Sequence, residues 1–360
     1  MSRELVEAAG GCLMVGFAGH EANLALRKRV ARGQVAGVIL FSRNLQEPEQ
    51  VAALNRSLQA TPSGLPLLIG IDQEGGRVQR LRAPLAVWPP MRDLGLVDDV
   101  QLTERVGVAL GEDLRRLGFN LDFAPVLDVV SSDTNTVIGD RSFGADPALV
   151  SRHGLAIARG LRRAGLVPCG KHFPGHGGPV ADSHYTLPVE VRSLEALRQS
   201  DLRPFAAAVD DGLPLLMSAH VVYAAIDPVQ PGTLSPAIAT SLLRQELGFT
   251  GVLVSDDLEM AAVAEAQEAG ELALRALRAG IDLLLFCHRE DRQVLALEAL
   301  VRAAEADSHD RDLLLQAAAR VQTLRRGCPV GDVGRPDEAP CLDEHTGLLA
   351  EVRLRSGQHS

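Results

Sequence analysis

Short, mostly apolar runs alternate along this chain with longer segments in which apolar residues recur at helical spacing. Eight runs read as strands: 13–18, 37–42, 67–73, 120–128, 168–173, 215–222, 251–256 and 282–287. Helical stretches follow them in turn, at 21–32, 48–60, 102–117, 148–164, 194–209, 236–247, 259–279 and 292–306. Unbroken apolar runs suit strands covered on both faces, and the intervening helices are the crossovers that parallel strands need. The expectation is an α/β fold, a (β/α)8 TIM-type barrel forming a single domain over residues 1–326. An open, doubly wound sheet is the alternative, because periodicity does not say whether the sheet closes. A further helix is expected at 310–326, and the tail, 327–360, mixes Pro, Gly and charge with a weak amphipathic patch at 348–354 that suggests no role.

Composition narrows the classes. The 360 residues are 46% hydrophobic and 23% charged, enough for a large core and without the signature of disorder. Against 46 acidic side chains stand 36 basic ones, and Lys and Arg nowhere form a stripe interleaved with aromatics, so nucleic acid is not an expected partner. Five cysteines, Cys12, Cys169, Cys287, Cys328 and Cys341, are scattered without a CxxC pair. That argues against a disulfide framework or a zinc site and for a reducing compartment. Glu4 and Glu7 precede the first apolar run where a leader would be basic. Ala9-Gly10-Gly11-Cys12 faintly resembles a lipoprotein cleavage site, but no hydrophobic stretch comes before it. No run approaches the ~18 apolar residues of a spanning helix. The expectation is a cytoplasmic protein without a membrane partner; the oligomeric state is not legible.

Barrels gather their chemistry where strands end, and polar residues concentrate there. Asp72-Gln73-Glu74-Gly75-Gly76-Arg77 ends the third run, Asp122 and Asp128 belong to the fourth, and Lys171-His172-Phe173-Pro174-Gly175-His176-Gly177 ends the fifth. Ser218-Ala219-His220 lies in the sixth and Ser255-Asp256-Asp257 ends the seventh. Charges beside apolar strands are costly unless paired or used. Lys171 stands out, since Lys28 is the sole other lysine among 36 basic residues. A compact ammonium can donate to sugar hydroxyls where a planar guanidinium would not fit.

Taken in order, these motifs resemble glycoside hydrolase family 3, and more narrowly its bacterial β-N-acetylhexosaminidase branch. The carriers are Gly37-Val38-Ile39-Leu40-Phe41-Ser42-Arg43-Asn44, Ile71-Asp72-Gln73-Glu74-Gly75-Gly76-Arg77-Val78, the segment 171–177, Asp182-Ser183-His184 and Ser255-Asp256-Asp257-Leu258. The resemblance implies retaining hydrolysis of terminal β-linked N-acetylglucosamine, without metal or cofactor, on a small carbohydrate such as a muropeptide released in peptidoglycan recycling. A retaining glycosidase needs a carboxylate beneath the anomeric carbon. Strand alternation lets only one of Asp256 and Asp257 face the barrel mouth; the resemblance selects Asp256 as nucleophile. A helix cap is the structural alternative, since Glu259 follows Asp256 at capping-box spacing. The resemblance also implies that His184 is the acid/base and that Asp182 orients it, a pairing that would favour the imidazolium. Gly178-Pro179 stands where an Asp-Thr pair is common in relatives, with the spacing to Asp182 unaltered. For binding, Asp72 is expected to grip sugar hydroxyls, with Lys171, His172 and Arg141 around it and Arg80 reaching an extended substrate. Glu74 and Arg77 are expected to pair beneath the site, His176 to support its loop, and His220 either to line the site or to pack internally. Gly75 and Gly76 suit a tight turn.

Other readings remain open at this stage. Within the family they are a β-glucosidase or β-xylosidase, or a phosphorylase. From other classes they are a barrel metallohydrolase using His172, His176, His184 and His220, and a sugar-binding barrel without catalysis.

Overall fold

The computed structural model describes residues 2–59, 65–130, 135–178, 187–264, 268–328 and 342–357. Eight parallel strands form the central sheet: β1 Leu13–Val15, β2 Gly37–Leu40, β3 Leu68–Ile71, β4 Leu121–Asp122, β5 Val167–Phe173, β6 Leu215–Ser218, β7 Val252–Val254 and β8 Leu284–Phe286. Each neighbours the next in chain order, and β8 returns to β1 with Leu13 opposite Leu284. The remaining junction, β7 to β8, closes through the parallel bridge Val254–Leu283. Backbone N–H groups of Asp282 and Ser255 donate across it to Leu253 and Leu283, each at 2.9 Å. Side chains complete this seam: Ser255 Oγ accepts from the Leu285 N–H and Asp282 Oδ2 from the Leu253 N–H. The expected barrel is therefore observed, and the open sheet is excluded.

Alternation sorts the strand residues. Met14, Ile39, Leu68, Leu121, Cys169, Leu215, Met217, Val252, Val254 and Leu285 fill the barrel interior. Val15, Val38, Leu40, Ile69, Ile71, Leu216 and Leu253 point outward into the layer shared with the helices. With both faces covered, no strand position needs a polar residue, hence the continuous apolar runs.

Departures from the expected elements have local causes. β4 stops after Asp122 near Pro125, which has no N–H for the ladder, although the Ala124 and Pro125 carbonyls still accept from Cys169 and Lys171 and the bridge Val126–Lys171 follows. The helix expected at 194–209 is two, Leu194–Gln199 and Leu202–Asp210, because Asp201 turns inward to meet Arg192 Nη1 at 2.8 Å. The stretch 259–279 is likewise divided into Ala261–Ala264 and Ala269–Ala279. Not expected were the helices Arg3–Gly11 and Met91–Val97, a two-stranded hairpin (Gln73–Gly75 with Val78–Gln79) after β3, and a small sheet of Val189–Glu190, Val222–Tyr223 and Asp227–Pro231. In the tail, Leu342–Arg355 is a helix packed on Met91–Val97 and Val100–Arg116, with Leu348 and Val352 buried.

Candidate active site

The hairpin after β3 needs its glycines: Gly75 and Gly76 have φ of +98° and +57°, and a Cβ on Gly75 would lie 2.6 Å from the Pro89 carbonyl oxygen. This turn delivers Asp72, Glu74 and Arg80 to the C-terminal end of the barrel. There a cavity of about 380 Å³ opens, lined by Asp72, Arg80, Arg141, Lys171, His172 and Asp256. All six come from different points of the sequence expectation, and the fold brings them together. Phe41, Met217, Met260 and Leu285 supply apolar wall. Asp182 and His184 lie outside the described residues.

Charge is balanced by direct pairing. The Lys171 ammonium donates to Asp72 Oδ1 at 2.8 Å and meets Glu74 Oε1 at 2.5 Å. Arg141 grips Glu74 with two hydrogen bonds of 2.8 Å, and Arg80 approaches Asp72 Oδ2 at 3.4 Å. Burial alone would push Lys171 down, but the two carboxylates hold its pKa above the usual ammonium value. Burial would push Asp72 and Glu74 up, but the surrounding cations bring both below the ordinary carboxylate range. Asp72 thus stays ionised, suited to accept from neighbouring hydroxyls. The expected Glu74–Arg77 pair is not formed. Arg77 instead meets Asp140 at 3.0 Å and the carbonyls of Thr136, Val137 and Ile138, because the positive-φ turn points it away from Glu74.

Asp256 and Asp257 divide their work. Asp257 Oδ1 accepts from the N–H groups of Glu259 and Cys287 at 3.0 and 3.2 Å, and its Oδ2 meets His288 Nε2 at 3.1 Å. It ties β7 to β8 and holds the turn that follows β7; Asp256 does not take the helix-cap role that spacing had offered it. Among the described residues, the Asp256 carboxylate has one hydrogen-bond donor, the Asp257 N–H at 2.8 Å. Its remaining lone pairs face the cavity. Burial would raise its pKa, but the His220 and His172 rings, the Asp257 N–H and Lys171 outweigh that and lower it. His220 is internal: Nδ1 meets Thr233 Oγ1 at 2.8 Å and Nε2 the Asp257 carbonyl at 3.0 Å. Asp122, wholly buried beneath the site, accepts from the Gln73 N–H, and burial pushes its carboxyl well above the ordinary range. The backbone N–H of His176 donates to Asp128 Oδ1. Among the described residues no group of three or more His, Cys, Asp or Glu is placed to hold a metal ion.

Sequence reasoning missed His288, which lines the cavity and stacks on Phe41 at 5.9 Å between ring centroids. Its position directly after β8, the same rule that singled out the other strand ends, was the available signal.

A cavity at the small end of the ~300–1,000 Å³ typical of ligand pockets, walled by ionised partners for hydroxyls and holding an uncommitted carboxylate, defines a class: a barrel glycoside hydrolase. Residues 5–324 match the family described as "Glycosyl hydrolase family 3 N terminal domain". A β-hexosaminidase of Thiobacillus denitrificans is 40% identical over 355 residues, covering 97% of this chain and 92% of that protein. A family 3 β-N-acetylglucosaminidase from Paenibacillus superposes with a TM-score of 0.93 at 39% identity, over 98% of this chain and 68% of that one. For a β-N-acetylhexosaminidase from Beutenbergia cavernae the TM-score is 0.83 at 32% identity, over 91% of this chain and 99% of the other. The chain belongs to glycosyl hydrolase family 3.

Proposed function

We propose that the protein is a retaining exo-β-N-acetylglucosaminidase. Asp72, Arg80, Arg141, Lys171 and His172 hold the terminal sugar by its hydroxyls. Asp256 attacks C1 from below as the His184 imidazolium, oriented by Asp182, protonates the departing oxygen. The neutral imidazole then takes a proton from water, which attacks C1 of the glycosyl-aspartate and restores Asp256. The observation that carries this reading is the contrast at the end of β7: Asp257 is spent on backbone and His288 contacts, whereas Asp256 is ionised and directed at the cavity. The natural substrate we propose is a muropeptide with a terminal N-acetylglucosamine, cleaved in the cytoplasm during peptidoglycan recycling. The four described cysteines, free and buried, are compatible with a reducing compartment. No helix among the described residues is long and apolar enough to cross a membrane.

A slow 2-fluoro glycoside should trap a covalent adduct, located by peptide mass on Asp256. An adduct elsewhere, or a first-formed product of inverted configuration, refutes the mechanism. Faster turnover of a nitrophenyl glucoside than of the N-acetylglucosaminide refutes the sugar assignment, and dependence on inorganic phosphate would make the enzyme a phosphorylase.

A further inference from the structure

Asp128 is fully buried and does not line the cavity, yet three donors converge on it. Its Oδ1 accepts from the backbone N–H groups of His172 and His176 at 3.1 and 2.7 Å. Its Oδ2 meets His172 Nδ1 at 2.7 Å. The segment it holds packs closely on its own neighbours: a Cβ on Gly177 would sit 1.8 Å from the Val129 carbonyl oxygen. His172 itself lines the cavity. With Nδ1 engaged behind the ring, Nε2 is, among the described residues, the nitrogen left for a ligand.

We propose that Asp128 is a positioning residue that fixes His172 as the Nδ1–H tautomer, so that Nε2 offers the bound sugar a hydrogen-bond acceptor. An ionised carboxylate only accepts, so Nδ1 must carry the hydrogen, and a neutral ring then has its lone pair on Nε2. Three hydrogen bonds donated to the Asp128 carboxylate offset the cost of burying it and suit the ionised form beside a neutral ring. His220 follows the opposite rule: the Asp257 carbonyl accepts from its Nε2–H, and both ring nitrogens are engaged within the protein. His172 is thus set up as an acceptor in a site whose other partners for hydroxyls include the donors Lys171, Arg80 and Arg141.

Asp128→Asn separates tautomer from fold. Both backbone N–H groups need the amide oxygen at the Oδ1 position, which forces the NH2 group towards His172 Nδ1 and moves the ring hydrogen to Nε2. The full chain labelled with 15N-histidine, its His172 signals assigned by loss in His172→Gln, is recorded at a pH where imidazoles are neutral. Wild type should show Nδ1–H and Asp128→Asn should show Nε2–H. With melting temperature preserved, kcat/KM on a nitrophenyl N-acetylglucosaminide should fall roughly 10-fold, the scale of losing one hydrogen bond to the bound sugar. A wild-type ring protonated on Nε2, or on both nitrogens, overturns the proposal without any variant having to fold. So does a flipped ring with unchanged kcat/KM. The kinetic arm rests on the glycosidase reading, whereas the tautomer arm does not, so an inactive enzyme with the expected wild-type ring would sink the former reading alone.

Discussion

Glu74→Gln is the sharpest perturbation of the ion-pair network at the cavity. Glu74 accepts two bonds from Arg141 and one from Lys171, and its side chain is 1% exposed. Glutamine keeps the shape and one carbonyl oxygen, but its NH2 group then faces a cationic N–H, and two buried cations share one acceptor fewer. Charge-assisted hydrogen bonds contribute about 1.5–3 kcal/mol each, and removing one partner of a buried ion pair costs about 3–5 kcal/mol. These describe the same loss twice, so the expected destabilisation is about 3–5 kcal/mol in total. An unfolding entropy of about 2.1 cal/mol/K per residue, over 360 residues, makes each kcal/mol about 1.3 °C, and the melting temperature should drop by about 4–7 °C. Because the folded-state pKa of Glu74 lies below its unfolded value, its stabilisation is fully present above the unfolded carboxylate range and is lost as pH falls through the depressed value. The difference between wild type and variant should therefore be constant from about pH 6 to 8 and shrink progressively as pH falls below about 5. Arg302→Met, which removes the exposed pair with Glu298, is the control and should cost about 1 kcal/mol or less. Thermal scans that give equal shifts for the two variants, or none for Glu74→Gln, refute the assignment of Glu74 as the anchor of Lys171 and Arg141.

Other outcomes separate the roles of the remaining groups. Asp256→Asn should lower kcat by at least ~10³-fold with the melting temperature nearly unchanged, whereas Asp257→Asn should chiefly destabilise the β7–β8 junction; the reverse pattern in kinetics and thermal scans exchanges their roles. With Asp256 depressed below the usual carboxylate value, the acid limb of its contribution to kcat/KM should fall below about pH 4, and a limb near pH 5–6 would show it protonated more readily than the site implies. His184→Ala should retain the first step on substrates with very good leaving groups while losing unactivated ones, and equal losses on both would remove His184 as the acid. Prolonged dialysis against EDTA should leave kcat unchanged; loss restored by zinc would point to a metallohydrolase.

The eight strands could be read from the sequence because burial on both faces writes itself as apolar runs. The hairpin after β3 could not, since its stability is carried by amides: Gln73 Oε1 accepts from the Arg80 and Leu81 N–H groups, and Gln79 Nε2 donates to the Ala86 carbonyl. Polar residues satisfied internally leave no periodic trace. Site membership was likewise legible from charges at strand ends, but partnership was not. Glu74 finds Arg141, 67 residues away, instead of nearby Arg77, and Asp128 finds His172, 44 residues away. Such choices depend on which strands become neighbours, which a linear pattern does not encode. The tail helix Leu342–Arg355 was hidden for a related reason, being held by scattered contacts such as Arg355 to Asp99 at 2.9 Å and Arg105 to Glu351 at 3.1 Å.

The junction between β7 and β8 is stitched by side chains as well as by backbone, where the other seven are laddered by strand pairing. Ladder amides recur at every residue and yield only to a break in the chain's course, whereas a stitch at Ser255 or Asp282 is one codon. The floor beneath Asp256 can therefore shift in small steps, through single replacements, while the rest of the ring stays intact.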